Sequence, residues 1–300
     1  MTTETNKTVQ KTSSQAPSFL NIVVREFQKD KVALISLIIL VAILLFVFIG
    51  SAIYPEELVQ RVSLRDKYSE PGVKYVLGAD IGGRPVDGLL LIGARNSILI
   101  CLLITILTEV IGISVGLIAG FYGGWVDNII MRICDFIQVL PITMIVIAYM
   151  VALQANSIWH FIFIMTVFLW VGITRLVRSK ALSENRKDYI NASRTMGTSD
   201  LQIMFGGILP NISSIIIVDA ILGFAGNLGI ETGLSFLGFG LPPSVPSLGT
   251  LISYARRPEV ISSKPWVWLP ASLLLLVMML CINYVGQAIK RASDAKQRLG

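Results

Sequence analysis

Long apolar runs, separated by polar segments rich in Gly, Pro and basic residues, set the pattern of this chain. The first run covers residues 32–53 and is long enough to cross roughly 30 Å of hydrocarbon. Arg25, Lys29 and Lys31 stand before it. The run exceeds the roughly 7–15-residue core of a signal peptide, so it reads as an uncleaved first span. Five more runs follow, at about residues 97–119, 129–151, 158–173, 212–230 and 266–288. The pattern predicts an all-α membrane protein with six transmembrane helices. Residues 1–31 form an N-terminal tail, polar and disordered over 1–18. Residues 54–96 form a polar loop, 97–288 a five-helix core with a polar connector at 177–211, and 289–300 a second tail.

The connector stands apart from the other polar segments. Tyr189, Ala192, Ser193 and Met196 fall at i, i+3, i+4 and i+7, one small-to-apolar helix face. Gly197 stands where a left-handed residue would stop that helix. Thr198, Ser199 and Asp200 offer N-cap chemistry for a second helix, running through Leu201 and Phe205 towards Pro210. Asn191 lies within the first helix. A short helix between two bends is suited to docking into another body.

Composition changes the reading of charge. The 300 residues are 54% hydrophobic and only 15% charged, with a mean hydropathy of +0.71. These values lie outside the soluble globular range. A net charge of +6 therefore reflects basic cytoplasmic loops rather than a nucleic-acid partner. Six spans put both ends on one side, and that side carries twice as many Lys and Arg as the other. The bias favours both termini inside, which places the connector in the cytoplasm.

Candidate chemistry is sparse. Glu109, Asp135 and Asp219 are costly in hydrocarbon and are functional candidates by default. Asp219, Gly223 and Gly226 share a helix face that could line a path, with Asn227 beside them; a buried hydrogen bond within the bundle is the plainer alternative. Glu109 shares a face with Gly112 and Gly116, whose spacing, continued at Gly120, lets membrane helices approach closely. Arg132 and Asp135, at i and i+3, are spaced to pair near the inner boundary. His160 reads as a packing or interfacial residue, and Trp125, Trp266 and Trp268 as interface anchors. Cys101, Cys134 and Cys281 form no C-x-x-C pair. No phosphate loop occurs, so the chain cannot itself draw on ATP, and the commonest metalloprotease and serine-hydrolase motifs are missing. An intramembrane enzyme using Glu109 or Asp219 would need a second carboxylate or base at matching depth.

Asn191-Ala192-Ser193-x-x-x-Gly197 followed by Ile208-x-Pro210 resembles the E-A-A-x-x-x-G…I-x-L-P loop of permease subunits of ATP-binding-cassette importers. Three further stretches are similar to the C-type permease of the oligopeptide, dipeptide and nickel branch. They are Leu77 to Arg84 with Gly93-Ala94-Arg95-Asn96-Ser97, then Ala119 to Asp127 with Arg132 and Asp135, then Leu234 to Gly240 with Pro242-Pro243 and Pro246-Ser247-x-Gly249. Asn191 replaces the family's glutamate, Ser193 its second alanine, Pro85 an aspartate and Leu248 a tryptophan. The resemblance implies a type I importer permease fold in a bacterial inner membrane. It implies a heterodimer with a homologous B-type permease, two cytoplasmic ATPase subunits and an extracytoplasmic substrate-binding protein. ATP and Mg would bind the ATPases, with no cofactor in this chain. Short peptides are the expected cargo, with nickel as the alternative. Tyr189, Asn191, Ala192, Ser193, Met196, Gly197, Ser199, Asp200 and Pro210 would form the ATPase-coupling loop. Asp80, Gly83, Arg84, Arg95, Arg132, Asp135, Gly238, Gly240 and Pro242 would be structural members of the family motifs.

Overall fold

The computed structural model describes residues 19–154, 157–242 and 244–299. The polar tail at 1–18 and the middle of the turn expected at 154–157 lie outside them. Helix α1 (Phe19–Lys29) is parted from α2 (Lys31–Ile53) by Asp30. The Asp30 carboxylate accepts from the backbone N–H groups of Val32 at 3.0 Å and Ala33 at 3.1 Å, satisfying donors that a helix start leaves open. Only Ala33, Ser36, Val47 and Ser51 of α2 are buried, so most of its apolar surface suits lipid.

After α3 (Glu56–Gln60), helix α4 (Val86–Tyr122) starts directly behind Pro85. It begins eleven residues ahead of the apolar run at 97, because an amphipathic stretch containing Asp87, Arg95 and Asn96 continues the same helix beyond the hydrocarbon. Next come α5 (Gly124–Val139) and α6 (Ile142–Ala152), bent by 75° at the break between them. Pro141 lies in that break; lacking an N–H, it cannot continue the ladder from α5.

Helix α7 (Ile158–Glu184) runs well past residue 173 into the basic stretch. It can do so because Arg175 and Arg178 find acidic partners on α5. Helix α8 (Asp188–Thr195) follows, then α9 (Asp200–Gln202), which passes through a π-helical stretch at Ile203–Ile208 into α10 (Leu209–Leu237). The short α11 (Leu248–Ser253) and α12 (Pro258–Ser263) precede α13 (Leu269–Leu299). Five helices are long and apolar enough to span a membrane, or six where the bent pair is taken as one span.

The tightest seam joins α4 to α7. A Cβ added at Gly112 would lie 2.8 Å from the Trp170 carbonyl oxygen, at Gly116 2.7 Å from that of Thr174, and at Gly120 2.8 Å from that of Arg178. The constant offset means that two parallel helices meet backbone to backbone, which only glycine permits at this spacing. At the chain ends, Phe27, Ala33, Val285 and Ala288 pack together. Arg291 of α13 pairs with Glu26 at 3.1 Å and with Asp30, so the two ends of the described chain share one side of the bundle.

Candidate functional site

Helix α8 lies across the end of the bundle, seated by a single buried side chain. Ile190 is 1% exposed and packs into a cluster with Ile203, Met204 and Ile208 from the π-helical stretch and with Leu117, Phe121 and Val177 from α4 and α7. Polar contacts tie down its flanks. The Tyr189 hydroxyl donates to Glu184 at 2.8 Å and accepts from Asn211 Nδ2 at 2.8 Å. Arg194 donates to Asn185 Oδ1 at 2.6 Å and lies 4.8 Å over the Phe121 ring. Asn185 in turn donates to the Phe121 carbonyl at 2.8 Å. An eight-residue helix is too short to persist alone, so these contacts hold it.

The far face of α8 is free. Asn191 and Ala192 are exposed, as are Met196 at 77%, Leu201 at 65% and Phe205 at 48%. Ser193 is half-buried and donates to the Tyr189 carbonyl. Gly197 stops the helix with φ of +80°, a conformation that costs other residues about 1 kcal/mol or more. The N–H of Thr198 then bonds to the Ser193 carbonyl at 3.1 Å, closing the C-terminus. Ser199 occupies the N-cap of α9, yet its side chain makes no cap bond; its carbonyl takes the Ile203 N–H at 3.0 Å instead. Asp200 opens α9 and Pro210 lies in the first turn of α10.

Within the bundle the candidate residues separate. Gly112 and Gly116 face α7, whereas Glu109 borders an apolar groove of about 570 Å³ between α2, α4, α10 and α13, edged by Leu40, Ile216, Phe224 and Met278. Glu109 Oε2 is buried without a hydrogen-bond partner among the described residues. A Cβ added at Gly223 or Gly226 would touch nothing, so that strip of α10 is uncovered. Asn227 points into the bundle and donates to Thr105 Oγ1 at 2.9 Å. The pairing expected between Arg132 and Asp135 does not form. Asp135 instead accepts from Arg175 at 2.5 Å, and Asp127 from Arg178; a cross-helix arginine outcompetes the neighbour one turn away. Arg132 edges a surface groove on α5.

The opposite end of the bundle carries a second polar construction. Asp80, fully buried, accepts from Arg84 Nη2 at 2.6 Å and Nε at 2.9 Å, and from the backbone N–H groups of Gly82 and Arg84. The Tyr254 hydroxyl, beyond α11, donates to Asp80 Oδ2 at 3.2 Å and accepts from Arg84 at 2.9 Å. Burial, then the charge of Asp80, pushes the Tyr254 phenol up to about 12. The folded state therefore favours the neutral phenol. Its contribution is complete below about pH 10 and fades as pH rises towards 12. Breaking a buried pair by removing one partner costs about 3 kcal/mol or more. Asp80→Ala is accordingly expected to lower the melting temperature of the purified protein in detergent; an unchanged value would mean that the cluster carries no stability.

Gly83 lies in the Asp80 loop, and Gly238 and Gly240 end α10 beside Arg256 and Ser235. Pro242 is buried. Arg95 pairs with Glu56 at 2.9 Å at the rim of a cavity of about 530 Å³, walled by Gln60, Arg84, Asn96 and residues 244–246.

One functional candidate escaped the sequence reading. Glu231 is fully buried on α10 and accepts from Ser97, Thr232 and Ser235. The fifth apolar run closes at residue 230, one position short of it. The hydroxyls at positions 232 and 235, one residue and one turn further on, were the available signal.

The described residues thus form a bundle of helices long and apolar enough to cross a membrane, with α8 at one end and a polar cavity at the other. Residues 112–299 match the binding-protein-dependent transport system inner membrane component family, and residues 18–71 match the N-terminal transmembrane domain of oligopeptide transport permease C. The chain is 44% identical over 281 residues to the oligopeptide transport system permease protein OppC of Lactococcus lactis, covering 93% of this chain and 96% of that one. It is 35% identical over 283 residues to the protein of the same name from Mycobacterium bovis, covering 92% and 94%. A putative peptide permease protein of Brucella ovis is 30% identical over 273 residues, covering 91% and 90%. The chain belongs to the binding-protein-dependent inner-membrane permeases of bacterial ATP-binding-cassette importers, in their C-type oligopeptide branch.

Proposed function

We propose that this chain is one of two permease subunits of an ATP-driven peptide importer, with both termini in the cytoplasm. A homologous B-type permease completes the path. An extracytoplasmic binding protein delivers the peptide, and two cytoplasmic ATPase subunits, which bind ATP and Mg, supply the energy. Helix α8 is the element the ATPases move. The observation that carries this reading is the mounting of α8: one side is fixed by Ile190, Tyr189 and Arg194, while Asn191, Ala192 and Met196 are left uncovered.

A lever needs a rigid arm and contacts that differ between two states of its partner. The bend at Gly197 leads directly into the long helix beginning at Asp200, so a push on α8 is delivered to a membrane-spanning element. Peptide cargo is supported by the names of the relatives. Cells lacking the gene are expected to lose uptake of labelled oligopeptides and to recover it with this chain. Uptake that persists without the gene, or does not return with it, would sink the cargo assignment. A cysteine at Ser193 is expected to react with a membrane-impermeant maleimide only after the cytoplasmic side is opened; labelling of intact cells would reverse the orientation.

A further inference from the structure

We propose that Glu231 is a positioning residue that fastens the wall of the outer cavity to the helix leading from α8. The inference rests on the transport reading above. From Asp200 to Leu237 the chain is one helical stretch of 38 residues, a rod about 57 Å long at 1.5 Å per residue. Its first residues lie beside the bend at Gly197, and its last turns hold Glu231. Motion delivered at α8 therefore reaches the other side of the membrane along one element.

Glu231 carries the connection from there. Ser97 on α4 donates to Glu231 Oε2 at 3.2 Å and accepts the Leu248 backbone N–H at 3.0 Å. Ser235 donates to Glu231 Oε1 at 2.8 Å and accepts the Leu241 N–H at 3.1 Å. Each hydroxyl has one proton to give. Because each already accepts from a backbone donor, that proton goes to the carboxylate. No ion pair among the described residues includes Glu231; its carboxyl group is met by hydroxyls alone. Beside Leu248, Asn96 holds the Pro246 carbonyl at 2.9 Å, and Pro246 with Val245 and Ser244 walls the cavity rimmed by Arg95 and Glu56. Packing there is close: a Cβ added at Gly249 would lie 2.5 Å from the Ser235 side chain and 2.9 Å from Thr232 Cα.

Glutamine tests this directly, since it has the same size but turns one acceptor into a donor. At least one of the three hydroxyls that meet the carboxyl group, those of Ser97, Thr232 and Ser235, then faces an N–H and loses its proton acceptor there, which disrupts its arm. Volume filling alone would survive the change. The readout is the reactivity of a cysteine at Val245 towards an impermeant maleimide, in proteoliposomes of the complete transporter with binding protein and peptide. The native cysteines are buried and leave a low background. In the otherwise native chain, ATP is expected to change the labelling rate by about tenfold, an ordinary shift between two populated states. Glu231→Gln is expected to abolish that response and peptide uptake while ATP hydrolysis continues. Ser97→Ala, which removes one arm and little volume, is expected to weaken the response in the same direction and decides the matter if Glu231→Gln fails to reach the membrane. A full response in either variant that assembles overturns the proposal. If Val245→Cys in the native background does not respond to ATP, the coupling reading fails and takes this inference with it.

Discussion

Gly116→Leu is expected to remove nearly all of the chain from the membrane fraction. The added Cβ alone would lie 2.7 Å from the Thr174 carbonyl oxygen and 2.8 Å from Val177 Cβ, and three further carbons have no room. Overpacking a well-filled site costs about 1–3 kcal/mol when neighbours can yield. Here the obstacle is partly backbone, so α4 and α7 must separate, and with them the contacts flanking Gly112 and Gly120. A cost of about 3 kcal/mol corresponds to more than a hundredfold in the folded-to-unfolded ratio. Immunoblotting of membranes, with Gly172→Leu as control, measures it. A Cβ at Gly172 touches nothing, so that variant should accumulate normally. Equal amounts of the two variants would show that the α4–α7 seam is not what holds the bundle.

The second large effect concerns function rather than folding. Ile190→Asp is expected to abolish stimulation of ATP hydrolysis by peptide-loaded binding protein, while the chain still reaches the membrane. Ile190 is 1% exposed among Ile203, Met204 and Ile208. An unpaired carboxylate there must stay in an apolar pocket at a cost of several kcal/mol, or draw α8 away from its seat. The spanning helices keep their other contacts, among them the α4–α7 seam, so α8 is expected to leave its seat before the bundle fails. Asn191→Glu, at an exposed position, is expected to leave α8 seated. Normal stimulation in Ile190→Asp would mean that the ATPases act on this chain elsewhere. Measured in reconstituted complexes, the two variants separate the seat of α8 from its free face.

Much of this architecture was legible in the residues, and the losses have identifiable causes. Apolar runs located the five long helices and the bent pair because hydrocarbon tolerates few alternatives. The small-residue spacing at Gly112, Gly116 and Gly120 announced a close seam, although nothing in it named α7 as the partner. The left-handed stop at Gly197 was readable because so few residues adopt that conformation. Helix ends were harder. Val86 to Asn96 looked like loop because Asp87, Gly88, Gly93 and Arg95 break the apolar pattern, yet a helix outside the hydrocarbon needs only one buried face. Residues 174–184 looked like a basic loop until Asp127 and Asp135, some forty to fifty positions earlier, proved to be partners. Local spacing suggested Arg132 for Asp135; a tertiary contact decided otherwise. Glu231 was missed for a related reason. Its partner Ser97 is 134 positions away, and a lone glutamate at the end of an apolar run resembles a boundary residue.

The clasp at the chain ends bears on how the protein is made. Asp30 caps α2, and the same side chain is held by Arg291 of α13, 261 positions later. The first span is therefore laid down with its cap in place but its counter-charge missing. Until α13 has been synthesised, α1 can rest only on α2. Translation that stops before Arg291 leaves Glu26 and Asp30 without the arginine that joins them to α13.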